Sequence, residues 1–117
     1  MQVLAIQTRI FKPGEDLVSV VVESLRERST ELKDGDILAI SSKVVSTVDG
    51  RIVSLKEIQP SKRAKRLANK YSLEPEFAEL VLRESEKIYG GVYKSILTLK
   101  NGILTVNAGV DNKNAPV

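Results

Sequence analysis

Two apolar runs of strand length, residues 92–99 and 103–106, meet at Asn101-Gly102. Asn-Gly is the dipeptide best able to take the two positive φ angles of a tight hairpin turn, whose twist matches that of its flanking strands. Such a turn fixes partner, direction and register of two strands at once. An antiparallel hairpin is therefore expected near the C-terminus.

Upstream, strand-like and helix-like stretches mix. Residues 2–7 read as a strand and Lys12-Pro13-Gly14 as a turn. Residues 16–28 read as a helix capped by Asp16, with Leu17, Val20, Val21, Ser24 and Leu25 on one face. Lys33-Asp34-Gly35-Asp36 is a second turn. Residues 37–40 form a continuous apolar run, as a strand covered on both faces would. The chain then passes through Ser41-Ser42-Lys43 and Val44-Val45-Ser46-Thr47 to a turn at Asp49-Gly50 and an extended stretch over 51–55. Ser61 caps a helix over 62–70. Glu74-Pro75-Glu76 opens another, carrying Phe77, Leu80, Val81 and Leu82 towards Ile88, until Gly90-Gly91 breaks it. The expected class is α+β: a mixed sheet with helices packed on it, ending in the hairpin, in one domain over residues 1–117.

Composition removes whole classes of chemistry. Cysteine and histidine are absent, so disulfides, zinc clusters, thiol nucleophiles and imidazole bases are excluded together. Any reaction rests on carboxylates, hydroxyls, amides, Lys, Arg and a metal ion. The net charge of +3 owes much to Lys62-Arg63-Ala64-Lys65-Arg66. Those cations fall at helical spacing beside Leu67 and Ala68, as a solvated helix face does, and only five aromatic residues could stack bases. No nucleic-acid partner is expected. No window approaches the roughly 18 apolar residues of a membrane span, and the N-terminus lacks the basic lead of a signal peptide. The expected location is the cytoplasm. No dinucleotide fingerprint, Walker-type phosphate loop or HExxH zinc motif occurs.

Two loops follow apolar strand-like runs. Ser41-Ser42-Lys43 offers hydroxyls and backbone N–H groups that cradle a phosphate or nucleotide, or else cap a helical turn over 43–47. Asn107-Ala-Gly-Val-Asp111-Asn-Lys-Asn114 gathers three asparagines, one aspartate and one glycine. Oxygen ligands of this kind suit Mg²⁺ or Mn²⁺. The same residues are also ordinary turn formers. A single aspartate needs further ligands from phosphate, water or other protein, so the loop reads as half of a site. Tyr89 and Tyr93, flanking Gly90-Gly91, line a groove or belong to the core. Charges over 83–87 read as surface pairs.

Taken in order, several segments resemble the N-terminal part of the coenzyme F420-0:L-glutamate ligase family. They are Lys12-Pro13-Gly14-Glu15-Asp16-Leu17, Lys33-Asp34-Gly35-Asp36-Ile37-Leu38 and Ser41-Ser42-Lys43-Val44-Val45-Ser46. Asp49-Gly50-Arg51, Pro60-Ser61, Leu82-Arg83-Glu84-Ser85 and Asn107-Ala108-Gly109-Val110-Asp111 with Asn114 continue the series. The resemblance covers essentially the whole chain, and Asn-Ala-Gly-Val-Asp after a hairpin is its most specific piece. It implies an enzyme that couples GTP hydrolysis to amide-bond formation between F420-0 and L-glutamate through an acyl phosphate. It further implies two divalent cations, Mg²⁺ or Mn²⁺, with potassium assisting, and a homodimer. By the same resemblance Asp111 is a metal ligand, while Ser41, Ser42 and Asn114 contact GTP. Ile10 and Phe11 match a first nucleotide-contacting segment, shorter here by several residues. Thr47 stands where the family often has a nucleotide-contacting lysine, a charge for which Lys43 would partly substitute.

The family's other metal ligands lie in a later segment that this sequence does not include. The expectation is therefore a short or truncated ligase form that needs its second half, in the same protein or separately encoded. The alternative is a non-catalytic nucleotide-binding homologue or assembly module that needs a partner chain.

Overall fold

The computed structural model describes residues 1–113, arranged as two compact units, one over Met1–Ile52 and the other beginning at Val53. The start of the first unit's longer helix follows from its sequence. In α1 (Leu17–Glu27) the Asp16 carboxylate accepts from Val18 N at 3.2 Å, satisfying an N–H that the first helical turn cannot. Its inner face buries Val20, Ser24 and Leu25, with the Ser24 hydroxyl returned to the Val20 carbonyl at 2.8 Å. A seven-residue helix, α2 (Ser42–Val48), ends where Gly14 N donates to the Val48 carbonyl at 2.8 Å, which ties the Lys12-Pro13-Gly14 turn to it.

Residues 2–7 and 37–40 carry no strand ladder, nor do 51–54. Ile37 is 93% exposed. Apolar patterning reports a preference for burial, whereas a ladder also requires a partner strand at hydrogen-bonding distance, and hydropathy names none.

The second unit is an α+β layer pair. A short 3₁₀ turn (Leu55–Glu57) leads to α3 (Lys62–Tyr71) and α4 (Pro75–Glu84), then to β1 (Lys87–Val92), β2 (Ser95–Lys100) and β3 (Ile103–Val106). The Ser61 hydroxyl accepts from Ala64 N at 3.1 Å, and Pro75 takes the first turn of α4, where a missing N–H costs nothing. Ala64, Ala68 and Ala78 are buried where α3 meets α4. Tyr71, Phe77, Val81, Ile96 and Ala108 form the core between helices and sheet.

The sheet order is β1-β2-β3, with antiparallel pairing throughout. The α+β class and the C-terminal hairpin stand; the described sheet is antiparallel rather than mixed, since the N-terminal stretches do not join it. Gly90-Gly91 does not end an element either. Both lie inside β1, beyond a bulge between Ile88 and Gly90, and α4 stops earlier, at Glu84.

The Ser61 cap also reaches α4. The Ser61 hydroxyl and its N–H, the latter at 2.9 Å, hold the Glu79 carboxyl down at about 2, with Arg83 adding a smaller push. A carboxyl depressed from its ordinary value of 4.5 lends stability that is complete above that value and is lost as pH falls towards about 2. Glu79→Gln should therefore flatten the fall in Tm between pH 5 and pH 2, measured by circular dichroism. An unchanged acid limb would remove Glu79 from this role.

Candidate functional site

In the N-terminal unit, a cleft of about 170 Å³ is walled by Ile6, Phe11, Leu38, Ile40 and Val44, with Thr8 and Ser41 the hydroxyls on its lining. Phe11 and Ser41, distant in sequence, thus share one cavity. Its wall is mainly apolar, with the hydroxyl-bearing Thr8 and Ser41 set into it. Ile10, adjacent to Phe11, is 88% exposed and is not part of the lining.

Ser41 is the N-cap of α2: its hydroxyl accepts from Lys43 N at 3.3 Å. Ser42 is the first helical residue, beside the cleft but not lining it. The Thr47 hydroxyl donates to the Lys43 carbonyl at 2.8 Å, so it is engaged inside α2. The helix-capping reading of Ser41 is therefore realised in the structure, in a residue that also lines the cleft.

Asp111 belongs to the second unit. β3 runs into a turn at Asn107–Gly109 in which all three residues are left-handed, with φ of 52°, 52° and 73°. For Asn and Gly that conformation is common; for a buried Ala it is unusual. After the turn Val110 is extended, and Asp111 is exposed with its carboxylate accepting from Lys113 N at 2.8 Å. Asn114 lies outside the described residues.

Among the described residues no three Asp, Glu, His or Cys side chains gather as a metal-binding group. Asp111 offers one hard carboxylate, so a divalent cation held there would need phosphate oxygens and water to complete its shell.

Two features escaped the sequence. The Thr98 hydroxyl, fully buried, accepts from Ala108 N at 2.8 Å. Glu84, read as a surface charge, pairs with Lys100 of β2, and Lys100 Nζ also lies 3.5 Å from the Ala108 carbonyl. Neither leaves a local signal, because each depends on which turn the sheet meets. Tyr89 does line a groove, with Gly91, Val92, Leu97 and Val106 on a side of the sheet where those apolar groups stay open; Tyr93 is exposed outside it.

Comparison with known proteins gives one consistent answer. The model of the family described as F420-0:Gamma-glutamyl ligase matches residues 5–117. The chain is 42% identical to the coenzyme F420:L-glutamate ligase of Methanopyrus kandleri over 109 residues, which cover 92% of this chain and 41% of that protein. It is 36% identical to the ligase of that name from Archaeoglobus fulgidus, over 90% of this chain and 40% of that protein. The corresponding figures for Methanothermobacter thermautotrophicus are 34%, 86% and 40%. The chain spans about two-fifths of the length of these curated relatives. No described helix is long and apolar enough to cross a membrane.

Proposed function

Because the chain belongs to the F420-0:Gamma-glutamyl ligase family, we propose that it forms the nucleotide- and metal-binding part of a GTP-dependent γ-glutamyl ligase. The observation that carries this reading is the family match running through to Asp111 and beyond, with that carboxylate exposed at the end of a braced turn.

In this reading the γ-phosphoryl group of GTP passes to a carboxylate oxygen of F420-0, giving an acyl phosphate and GDP. The amine of L-glutamate then attacks the acyl carbon. Its C–N bond forms as the C–O bond to phosphate breaks, phosphate departs, and the amine proton is lost to solvent. Such transfer depends on positioning and charge neutralisation more than on covalent protein chemistry, so a chain without His or Cys is suited to it. By the family resemblance, Ile10, Phe11, Ser41, Ser42, Thr47 and Asn114 would be the nucleotide-contacting residues. Asp111 would ligate Mg²⁺ or Mn²⁺, whose charge offsets that developing on the phosphate oxygens. A homodimer with a potassium requirement and a cytoplasmic setting belong to the same proposal.

A second reading is a nucleotide-binding homologue that performs no chemistry without a partner chain. It rests on the single carboxylate that the described residues offer at Asp111.

Calorimetric titration of GTP with Mn²⁺ tests both, with ATP as control and Asp111→Ala alongside. Saturable GTP binding weakened at least about tenfold in the variant is expected for a working half-site. Wild-type binding that survives in Asp111→Ala would remove the metal role. No binding at millimolar GTP would overturn the proposal for this chain and favour the second reading.

A further inference from the structure

A strand presents every second residue to the same face. In β2 that period puts the Thr98 and Lys100 side chains on one face, and together with the Ile96 backbone N–H they hold different atoms of the Asn107–Gly109 turn. Ile96 N donates to Asn107 Oδ1 at 2.8 Å. The Thr98 hydroxyl accepts from Ala108 N at 2.8 Å while donating to the Thr105 carbonyl at 2.8 Å. Lys100 Nζ, paired with Glu84, reaches the Ala108 carbonyl at 3.5 Å.

We infer that Thr98 is the positioning residue for Asp111, with Asn107 and Lys100 as its outriggers. This rests on the metal reading above and goes beyond it by naming what aims the carboxylate.

The physical case starts from the turn. Three successive left-handed residues, one of them a buried alanine, are a conformation that a chain does not hold unaided. Thr98 is fully buried, and its hydroxyl bonds both β3, at the Thr105 carbonyl, and the turn, at Ala108 N. Remove the oxygen and the buried Ala108 N–H loses its acceptor, so the turn gains reason to rearrange. Val110 N donates to the Asn107 carbonyl at 2.8 Å, carrying the turn's orientation into the segment that leads to Asp111. Groups that orient a metal ligand without touching the metal typically change affinity roughly 10- to 100-fold when removed.

The experiment is Mn²⁺ titration in the presence of GTP, read as paramagnetic broadening of the amide signals of Ala108 to Lys113. It is run on the wild type, Thr98→Val, Thr98→Ser and Asp111→Asn, well below each protein's Tm. Amide exchange at Ala108 is followed in parallel. The expected result is broadening lost in Asp111→Asn, weakened at least about tenfold in Thr98→Val, and restored to within about threefold in Thr98→Ser. Ala108 should lose exchange protection in Thr98→Val alone. A Thr98→Val protein with lowered Tm but wild-type Mn²⁺ affinity would show a merely structural threonine and overturn the inference. Should Thr98→Val fail to fold, Thr98→Ala takes its place, and wild-type Mn²⁺ affinity in that variant would overturn the inference equally. Broadening indifferent to Asp111→Asn, or absent from the wild type, would instead overturn the metal reading, and this inference with it.

Discussion

Gly91→Ala should cost about 3 kcal/mol, the upper end of what one extra methyl does in a packed site. A Cβ at this position would stand 2.5 Å from the Ser95 carbonyl oxygen and 3.1 Å from two ring carbons of Tyr71. The first of these is backbone, in the residue where β2 begins opposite the end of β1, so it cannot swing aside as a side chain would. The Tyr71 ring is itself buried in the core, and its carbonyl accepts from Lys94 N at 2.7 Å in the turn between the two strands. Relief of the contact must therefore move either strand pairing or core. For a unit of this size the expected fall in Tm is roughly 12–24 °C. Gly102→Ala makes the control. Gly102 also lies on a hairpin turn, but nothing stands within 4 Å of its added Cβ, and only its φ of 73° penalises the change. That variant should lose about 1 kcal/mol. Thermal melts of the two would settle the matter: equal losses would mean that the close approach at Gly91 is not what limits the position.

The same glycine shows why part of this fold could be read from sequence and part could not. Asn101-Gly102 was legible because turn geometry is local: both residues take positive φ, 51° and 73°, and the strands on either side pair in register. Helix starts were legible for the same reason. Asp16 and Ser61 accept the N–H groups that a first helical turn leaves over, and Pro75 needs no partner there. Gly90-Gly91 reads locally as a breaker, yet the strand continues through it, because the missing side chain at Gly91 makes room for Tyr71. That reason sits twenty residues away in sequence. The stretches at 2–7 and 37–40 were apolar enough for strands, but the ladder depends on partners that hydropathy does not specify. The candidate site divides along the same line. Asn107 and Asp111 announced themselves by residue type and by resemblance to a family. Thr98 looked like any β-branched strand residue, since its task exists only where β2 passes under the turn.

Ala108 is where fold and site meet, and a matched pair of substitutions should separate them. Its side chain is 2% exposed and packs in the core with Tyr71, Phe77, Val81 and Ile96, while its backbone holds φ 52° and ψ 25°. Ala108→Val adds two methyl groups to a filled space, at about 1–3 kcal/mol. It also puts a β-branched residue in the left-handed region, a rarer and more strained state than alanine's there, which adds on the order of 1 kcal/mol. The sum, about 2–4 kcal/mol, should lower Tm by roughly 8 °C or more. Ala108→Gly works the other way on the backbone, relieving the left-handed penalty at a residue without a Cβ. Against that gain stand the lost burial of one methyl, about 0.8 kcal/mol, and the greater freedom of glycine in the unfolded chain, about 0.5–1 kcal/mol. These terms nearly cancel, so Ala108→Gly should lie within about 1 kcal/mol of the wild type. A valine variant as stable as the glycine variant would mean that the turn shifts without resistance, and a turn that yields so readily could not aim Asp111. The asymmetry between the two is thus a measure, taken without any ligand, of how firmly the fold holds its candidate metal carboxylate.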